Sequence, residues 1–360
     1  MSLTTSPRSI ANPTNRFPLS SPADGPARSR QRRVAERAKS LAVGLARYPG
    51  ADAISRALRE PHYLCDESHN TSRPLLERLR ILGLMATSLD QFCVDQGGDG
   101  GDTDSDNIED DFDQPALFSD EFCAAVTALL ARSSRLLRTD LLPALAQERN
   151  ALMRQPTTLT REQRLWLRSF FQAQIFPLLT PLAIDPGHPF PFISSYSLNF
   201  LVQLRGLKPG SSTPVTSFAR VKVPRLLSRF IEVPRLEEDS HNERSFLWSE
   251  EIVRFFLPEL FAGLSVENAW LFRVLRPVSA LAQQAETFDS LPAHHHRNLL
   301  SSVVRLDVEA DMPQPMLDWL ANHLGVPANG IYPIDGNMAL FQLTDLINLV
   351  EGSEAVRALI

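Results

Sequence analysis

The chain has 360 residues, 43% hydrophobic and 22% charged, and carries a net charge of −6. That length is enough for two or three domains with real cores, and the acidic balance excludes a generic nucleic-acid binder, because phosphate-backbone affinity needs clustered excess Lys and Arg. Cys65, Cys93 and Cys123 are the only cysteines and form no CxxC pair, so neither a disulfide framework nor a cysteine zinc site is indicated and a cytoplasmic location is expected.

Residues 1–32 are rich in Pro and Ser, with basic residues in excess and no apolar periodicity. They read as a disordered basic tail, a bias that an organelle transit peptide shares. From Arg33 to Leu58 the spacing of Val34, Ala38, Leu41, Leu45, Ile54 and Leu58 predicts short helices around Pro49-Gly50. A clearer helix begins near Ser72, with Pro74 in its first turn. Leu75, Leu79, Leu82, Met85, Leu89 and Phe92 then recur at helical spacing. Nine Asp or Glu and no Lys or Arg fall between Asp95 and Asp113, which predicts a solvated acidic loop.

Further helices are expected after Ser119 and after Thr160, where Gln163 completes a capping-box spacing. Five prolines lie between 177 and 192, predicting a rigid extended loop. Strands are then expected at Tyr196–Leu204, Phe218–Val223, Phe230–Val233, Trp270–Leu275 and Val303–Glu309. Helices are expected after a Ser249 cap, over Pro315–Leu324 and over Ala339–Val350. No run of about 18 apolar residues is present, so no membrane span is expected. The reading is α+β: a helical N-terminal domain over 33–140 holding the acidic loop 95–113, then a mixed α/β head domain over 141–350, with 351–360 as the C-terminal end.

Several side chains invite a chemical reading. Arg220 and Lys222 share one face of a strand, with Arg225 and Arg229 just beyond, and could track the charges of a phosphate chain. The blander reading, a solvated strand face, is preferred. Asp90 could serve in acid–base chemistry, but a surface or C-terminal-turn position is favoured. His188 sits among prolines that make it a loop hydrogen-bonding residue rather than a proton carrier. His294, His295 and His296 point in different directions and are read as a polar loop, not a metal site. Asp102, Asp104, Asp106 and Asp113 fit a calcium-loop spacing, but Asn107 stands where that loop needs glycine. No phosphate-binding GxxxxGK[ST] loop, GxSxG elbow or dinucleotide glycine motif occurs.

Three segments carry a family resemblance. Pro74-Leu-Leu-Glu-Arg-Leu-Arg-Ile-Leu-Gly-Leu-Met-Ala-Thr-Ser-Leu-Asp-Gln-Phe92 looks like a helix near the start of the phosphohistidine-type polyphosphate kinases. Ile175-Phe-Pro-Leu-Leu-Thr-Pro-Leu-Ala-Ile-Asp-Pro-Gly-His-Pro-Phe-Pro-Phe-Ile-Ser-Ser-Tyr-Ser-Leu-Asn199 is close to their proline-rich head segment over its whole length. Phe218–Arg225 and Arg305–Pro313 resemble strand-and-turn stretches of the same domain, in the same order.

The resemblance implies reversible transfer of the terminal phosphate of ATP to polyphosphate, with ATP and Mg2+ as cofactors and a homo-oligomeric assembly. It also implies that the phosphohistidine and the magnesium-binding residues lie in later domains, beyond Ile360. No catalytic or metal-binding residue is therefore expected in this chain, and inactivity is expected when it is alone. Ser88 stands at the family's adenine-contacting asparagine, while Gln91 and Cys93 replace Glu and Phe. Serine offers one hydroxyl in place of an amide's paired donor and acceptor. Two roles follow: the N-terminal and head portions of a kinase whose other half is a separate catalytic chain, or a non-catalytic module that binds polyphosphate or pairs with a full-length kinase.

Overall fold

The structure is a computed structural model that describes residues 53–96, 117–184, 190–207, 213–235, 243–277 and 303–357. They lie within one compact unit, Tyr48–Ile360. The expectations for the basic tail, for most of the acidic loop, and for His188 and His294–His296 fall outside the described residues.

Helices come first. α1 (Ala53–Ala57) and α2 (Arg59–His69) lead into α3 (Leu75–Gln96), with Pro74 just ahead of its first turn. Leu75, Leu79, Leu82, Met85, Leu89 and Cys93 recur every three or four residues, so one stripe of α3 is buried. Gly83 on that helix lets it approach the backbone of a later turn: a Cβ there would sit 3.4 Å from the Leu340 carbonyl oxygen. α3 also absorbs Asp95 and Gln96 from the expected acidic loop.

Ser119 caps α4 (Asp120–Leu136), its hydroxyl accepting from the Phe122 N–H at 3.2 Å. A π turn at Leu137–Leu141 carries the chain into α5 (Leu142–Arg149). α6 (Arg161–Phe170) has the expected capping box, with both Thr160–Gln163 bonds at 3.2 Å.

The proline-rich segment is not wholly irregular. Between Pro181 and Pro186 a triplet free of proline can still donate to a ladder, and it forms β2 (Leu182–Ile184). β2 lies antiparallel at the edge of a six-stranded sheet ordered β2-β4-β3-β7-β8-β9. The other members are β3 (Asn199–Leu207), β4 (Pro214–Lys222), β7 (Ser265–Leu275), β8 (Arg305–Glu309) and β9 (Ile331–Ile334). Only the β8–β9 pair is parallel among these. A smaller sheet runs β1 (Ala151–Met153), β6 (Arg244–Trp248), β5 (Phe230–Val233).

Ser249, expected as a cap, is instead the first residue of α7 (Ser249–Leu260), and Trp248 takes the cap position. The apolar stretch Phe246–Phe261, which sequence left open between contact surface and core, is mostly core: Phe246, Leu247, Trp248, Ile252, Val253, Phe256 and Leu257 are buried. Among its aromatic residues Phe255 is the exposed one. Gly325, in a left-handed conformation at φ 67°, ends α8 (Gln314–Leu324), and α9 (Leu343–Arg357) closes the described part.

Register assigns the two faces of the large sheet. Residues directly opposite one another share a face. Lys222, Asn199, Phe272 and Val308 therefore lie on one side, together with Arg220, Leu201 and Trp270. Leu201, Trp270, Phe272, Val274, Leu306 and Val308 pack there with Leu320, Ala321 and Leu324 of α8. The opposite face carries Phe200, Leu271, Arg273, Arg305 and Asp307.

Candidate functional site

The two faces handle charge in opposite ways. On the second face, Asp90 of α3 reaches down to the sheet. Arg273 donates to it in a bidentate fork, Nη1 to Oδ2 and Nη2 to Oδ1, both at 2.8 Å. Arg273 Nε donates to Asp307 Oδ2 at 2.6 Å. Arg305 donates from Nε to Asp307 Oδ1 at 2.7 Å, and from Nη1 to Asp90 Oδ1 at 3.2 Å.

All four side chains are at most 4% exposed. Burial alone would raise the Asp307 carboxyl, yet the guanidinium groups of Arg305 and Arg273 hold it below the usual carboxylate range. The cluster is two cations against two anions, so it is neutral as well as buried. Asp90 is therefore not the surface carboxylate favoured from sequence, and its oxygens are engaged by arginine rather than offered for acid–base work. It fastens α3 to the sheet.

Neighbouring groups feel the same burial. The Cys93 thiol, one turn on from Asp90, is pushed up to about 11, chiefly by desolvation. A cleft lined by Met85, Leu89, Asp90, Ser134, Arg273, Arg305 and Leu340 opens beside the cluster and has room for about one water molecule. Ser88 is not part of its lining; it is half-buried on α3. Magnesium does not fit here. Asp90 and Asp307 each accept three guanidinium hydrogen bonds, which leaves them no face for a hard cation. Among the described residues no three His, Cys, Asp or Glu side chains gather as metal ligands.

On the first face, Arg220 and Lys222 stand without an opposite charge among the described residues. Arg220 is 8% exposed, so the solvated strand face preferred from sequence is not what forms. Its Nε donates to Asn199 Oδ1 at 2.8 Å, and Lys222 Nζ donates to Ser194 Oγ at 2.9 Å. Neither cation pairs with a carboxylate among the described residues. Burial lowers the Arg220 pKa, with no opposing charge behind it. The Lys222 pKa is lowered by burial and then by the nearby charges of Arg220 and Arg225. Arg225 is exposed beyond the strand end.

Arg229, read with this group, belongs elsewhere. It pairs with Glu250 at 2.6 Å and donates to the Met338 and Ala339 carbonyls, pinning a turn in which Ala339 has φ 52°.

Sequence reasoning placed Arg220, Lys222 and Arg225 together but missed Ser194 and Asn199. Both lie within the recognised proline-rich segment, so a polar residue directly across the ladder from Lys222 was the available signal.

The chain resembles known proteins over most of this architecture. A model of the polyphosphate kinase middle domain matches residues 162–349. A polyphosphate kinase of Synechocystis sp. is 32% identical over 287 residues, covering 77% of this chain and 39% of that protein. One of Mycobacterium marinum is 32% identical over 293 residues, covering 77% and 38%. This chain thus spans about two-fifths of the length of these relatives. In fold it is similar to the crystal structure of polyphosphate kinase from Porphyromonas gingivalis, with a TM-score of 0.60 and 21% identity over 78% of this chain and 38% of that one. The chain belongs to the polyphosphate kinase family.

Proposed function

We propose that this protein works in reversible phosphate transfer between ATP and polyphosphate, supplying a helical part to about residue 140 and a head that meets the phosphate chain. The observation that carries this reading is the row of cations at Arg220, Lys222 and Arg225. Arg220 and Lys222 are held by neutral polar groups and left without a carboxylate among the described residues, with the exposed Arg225 just beyond them. A buried cation with no anion is costly unless something else supplies the charge, and a polyphosphate chain does so through charge-assisted hydrogen bonds.

ATP and magnesium enter as cofactors by family. Ser88 is the position proposed for the adenine, with a single hydroxyl to offer. The buried carboxylates of Asp90 and Asp307 are already engaged by arginine and are not proposed as magnesium ligands. By family, the transferring histidine is proposed to lie in the histidine-bearing domains, and the cytoplasmic assembly to be a homo-oligomer or an association with a full-length kinase or a separate catalytic chain. No helix of the described residues is long and apolar enough to cross a membrane.

ATP-dependent polyphosphate synthesis by the purified chain tests this, alone and mixed with the histidine-bearing portion of a polyphosphate kinase. Synthesis in the mixture only is the expected result. The full occupancy of Asp90 and Asp307 favours one second reading, a non-catalytic polyphosphate-binding or kinase-pairing module, and silence in both arms would select it.

A further inference from the structure

We propose that Arg220 and Lys222, set apart by Asn199 and Ser194, form a subsite for two phosphoryl groups that selects linear phosphate chains over single phosphate ions. This deepens the polyphosphate reading above and rests on it.

Residues 220 and 222 are two apart on β4, so their side chains leave the same face with Cα atoms about 6.7 Å apart. Neither cation is free to swing toward the other. Arg220 is tied through Nε to the amide oxygen of Asn199, and Lys222 through Nζ to the Ser194 hydroxyl. The holders are themselves fixed. Asn199 is fully buried and its Nδ2 donates to Ser197 O at 2.8 Å and to Ser197 Oγ at 3.1 Å. Ser194 Oγ donates to Ser197 Oγ at 3.2 Å, and Ser197 Oγ donates back to the Ser194 carbonyl at 2.6 Å. One turn, 194–197, therefore positions both cations. Its Tyr196 adopts φ 63° while its N–H donates to the Val274 carbonyl, which locks the turn onto β7.

The donor inventory matches two anionic groups rather than one. With Nε engaged, the terminal nitrogens of Arg220 remain, and they suit bidentate contact to one phosphoryl group. The Lys222 ammonium uses one proton on Ser194 and has the others for a second group. A lone orthophosphate has a single phosphoryl group to offer the two separately held sets of donors. Adjacent phosphoryl groups of a chain can meet one set each. Binding also relieves the like-charge crowding of Lys222 by Arg220 and Arg225.

Calorimetric titration of the purified chain with orthophosphate and with tripolyphosphate, without metal and at low salt, tests this directly. Tripolyphosphate is expected to bind at least about tenfold more tightly than orthophosphate. Lys222→Ala should weaken tripolyphosphate by about tenfold and bring the two ligands level. Asn199→Asp, which gives Arg220 a carboxylate of its own, should do the same, with circular dichroism checking its fold. Equal affinities in the wild type, or tripolyphosphate binding indifferent to Lys222→Ala, would overturn the subsite. Such a result beside active phosphate transfer in the mixture would leave the functional reading standing. Intact selectivity beside an inactive mixture would do the reverse.

Discussion

The two faces of one sheet bury arginine in two different ways. On the α3 side, Arg273 and Arg305 are matched by Asp90 and Asp307, and the four groups form a closed neutral set. On the α8 side, Arg220 is buried against an amide, and its neighbour Lys222 against a hydroxyl. Burial alone therefore says little about role. What separates the faces is whether the protein supplies the opposite charge itself. Where it does, the charges serve the fold, and where it does not, we propose that they are left for a ligand.

Breaking the neutral face should have the largest effect. Asp90→Ala strands two guanidinium groups against a single carboxylate. Removing one partner of a buried ion pair costs about 3–5 kcal/mol, so a large drop in the chemical-denaturation midpoint is expected. Arg220→Ala should cost less, about 1–3 kcal/mol, since it leaves one buried amide oxygen without its donor. If the two variants were equally destabilised, the distinction between the faces would fail.

Acid should act through the same face. Asp307 has a lowered folded pKa, so it contributes stability that is fully present above its unfolded value of about 3.9 and is lost as pH falls through the folded value. Unfolding followed between pH 6 and pH 2 should show stability declining below about pH 4. Asp307→Asn should lie well below the wild type at neutral pH and converge on it in acid.

Lys222→Ala sharpens the comparison from the other side. A half-buried strand cation with a hydroxyl but no carboxylate partner should shift stability by no more than about 0.5 kcal/mol, read by thermal unfolding, while polyphosphate binding falls. The smallest effect expected is chemical. Cys93 is buried with its thiol pushed up to about 11, and Cys65 is also raised by burial. A thiol reagent should label the partly exposed Cys123 first and reach the other two only on unfolding.

Much of the fold was legible because it is written locally. The Ser119 cap, the Thr160–Gln163 box and the Gly325 stop each act within a few residues, and the structure has all three. β6 escaped notice because every residue from Arg244 to Trp248 is buried, so no alternation marks it as a strand. β9 is four residues long with a proline inside, too short to show a period. The site was legible in part. Strand spacing put Arg220 and Lys222 on one face, but spacing could not say that the face would be buried. Nor could it pair Asp90 with Arg273 and Arg305, which lie 183 and 215 residues away. Arg229 looked like a member of the cation row, yet the turn after β4 sends it to Glu250 on another element.

The most direct test is fluorescence-polarisation binding of long-chain polyphosphate to the wild type and to the Arg220→Ala/Lys222→Ala double variant, with melting temperatures measured on the same samples. The expected result is a loss of affinity of at least about tenfold in a protein that still unfolds cooperatively, with a melting temperature lowered by about 10 °C or less. Undiminished binding by the folded double variant would show that the unpaired charges serve something other than a phosphate chain.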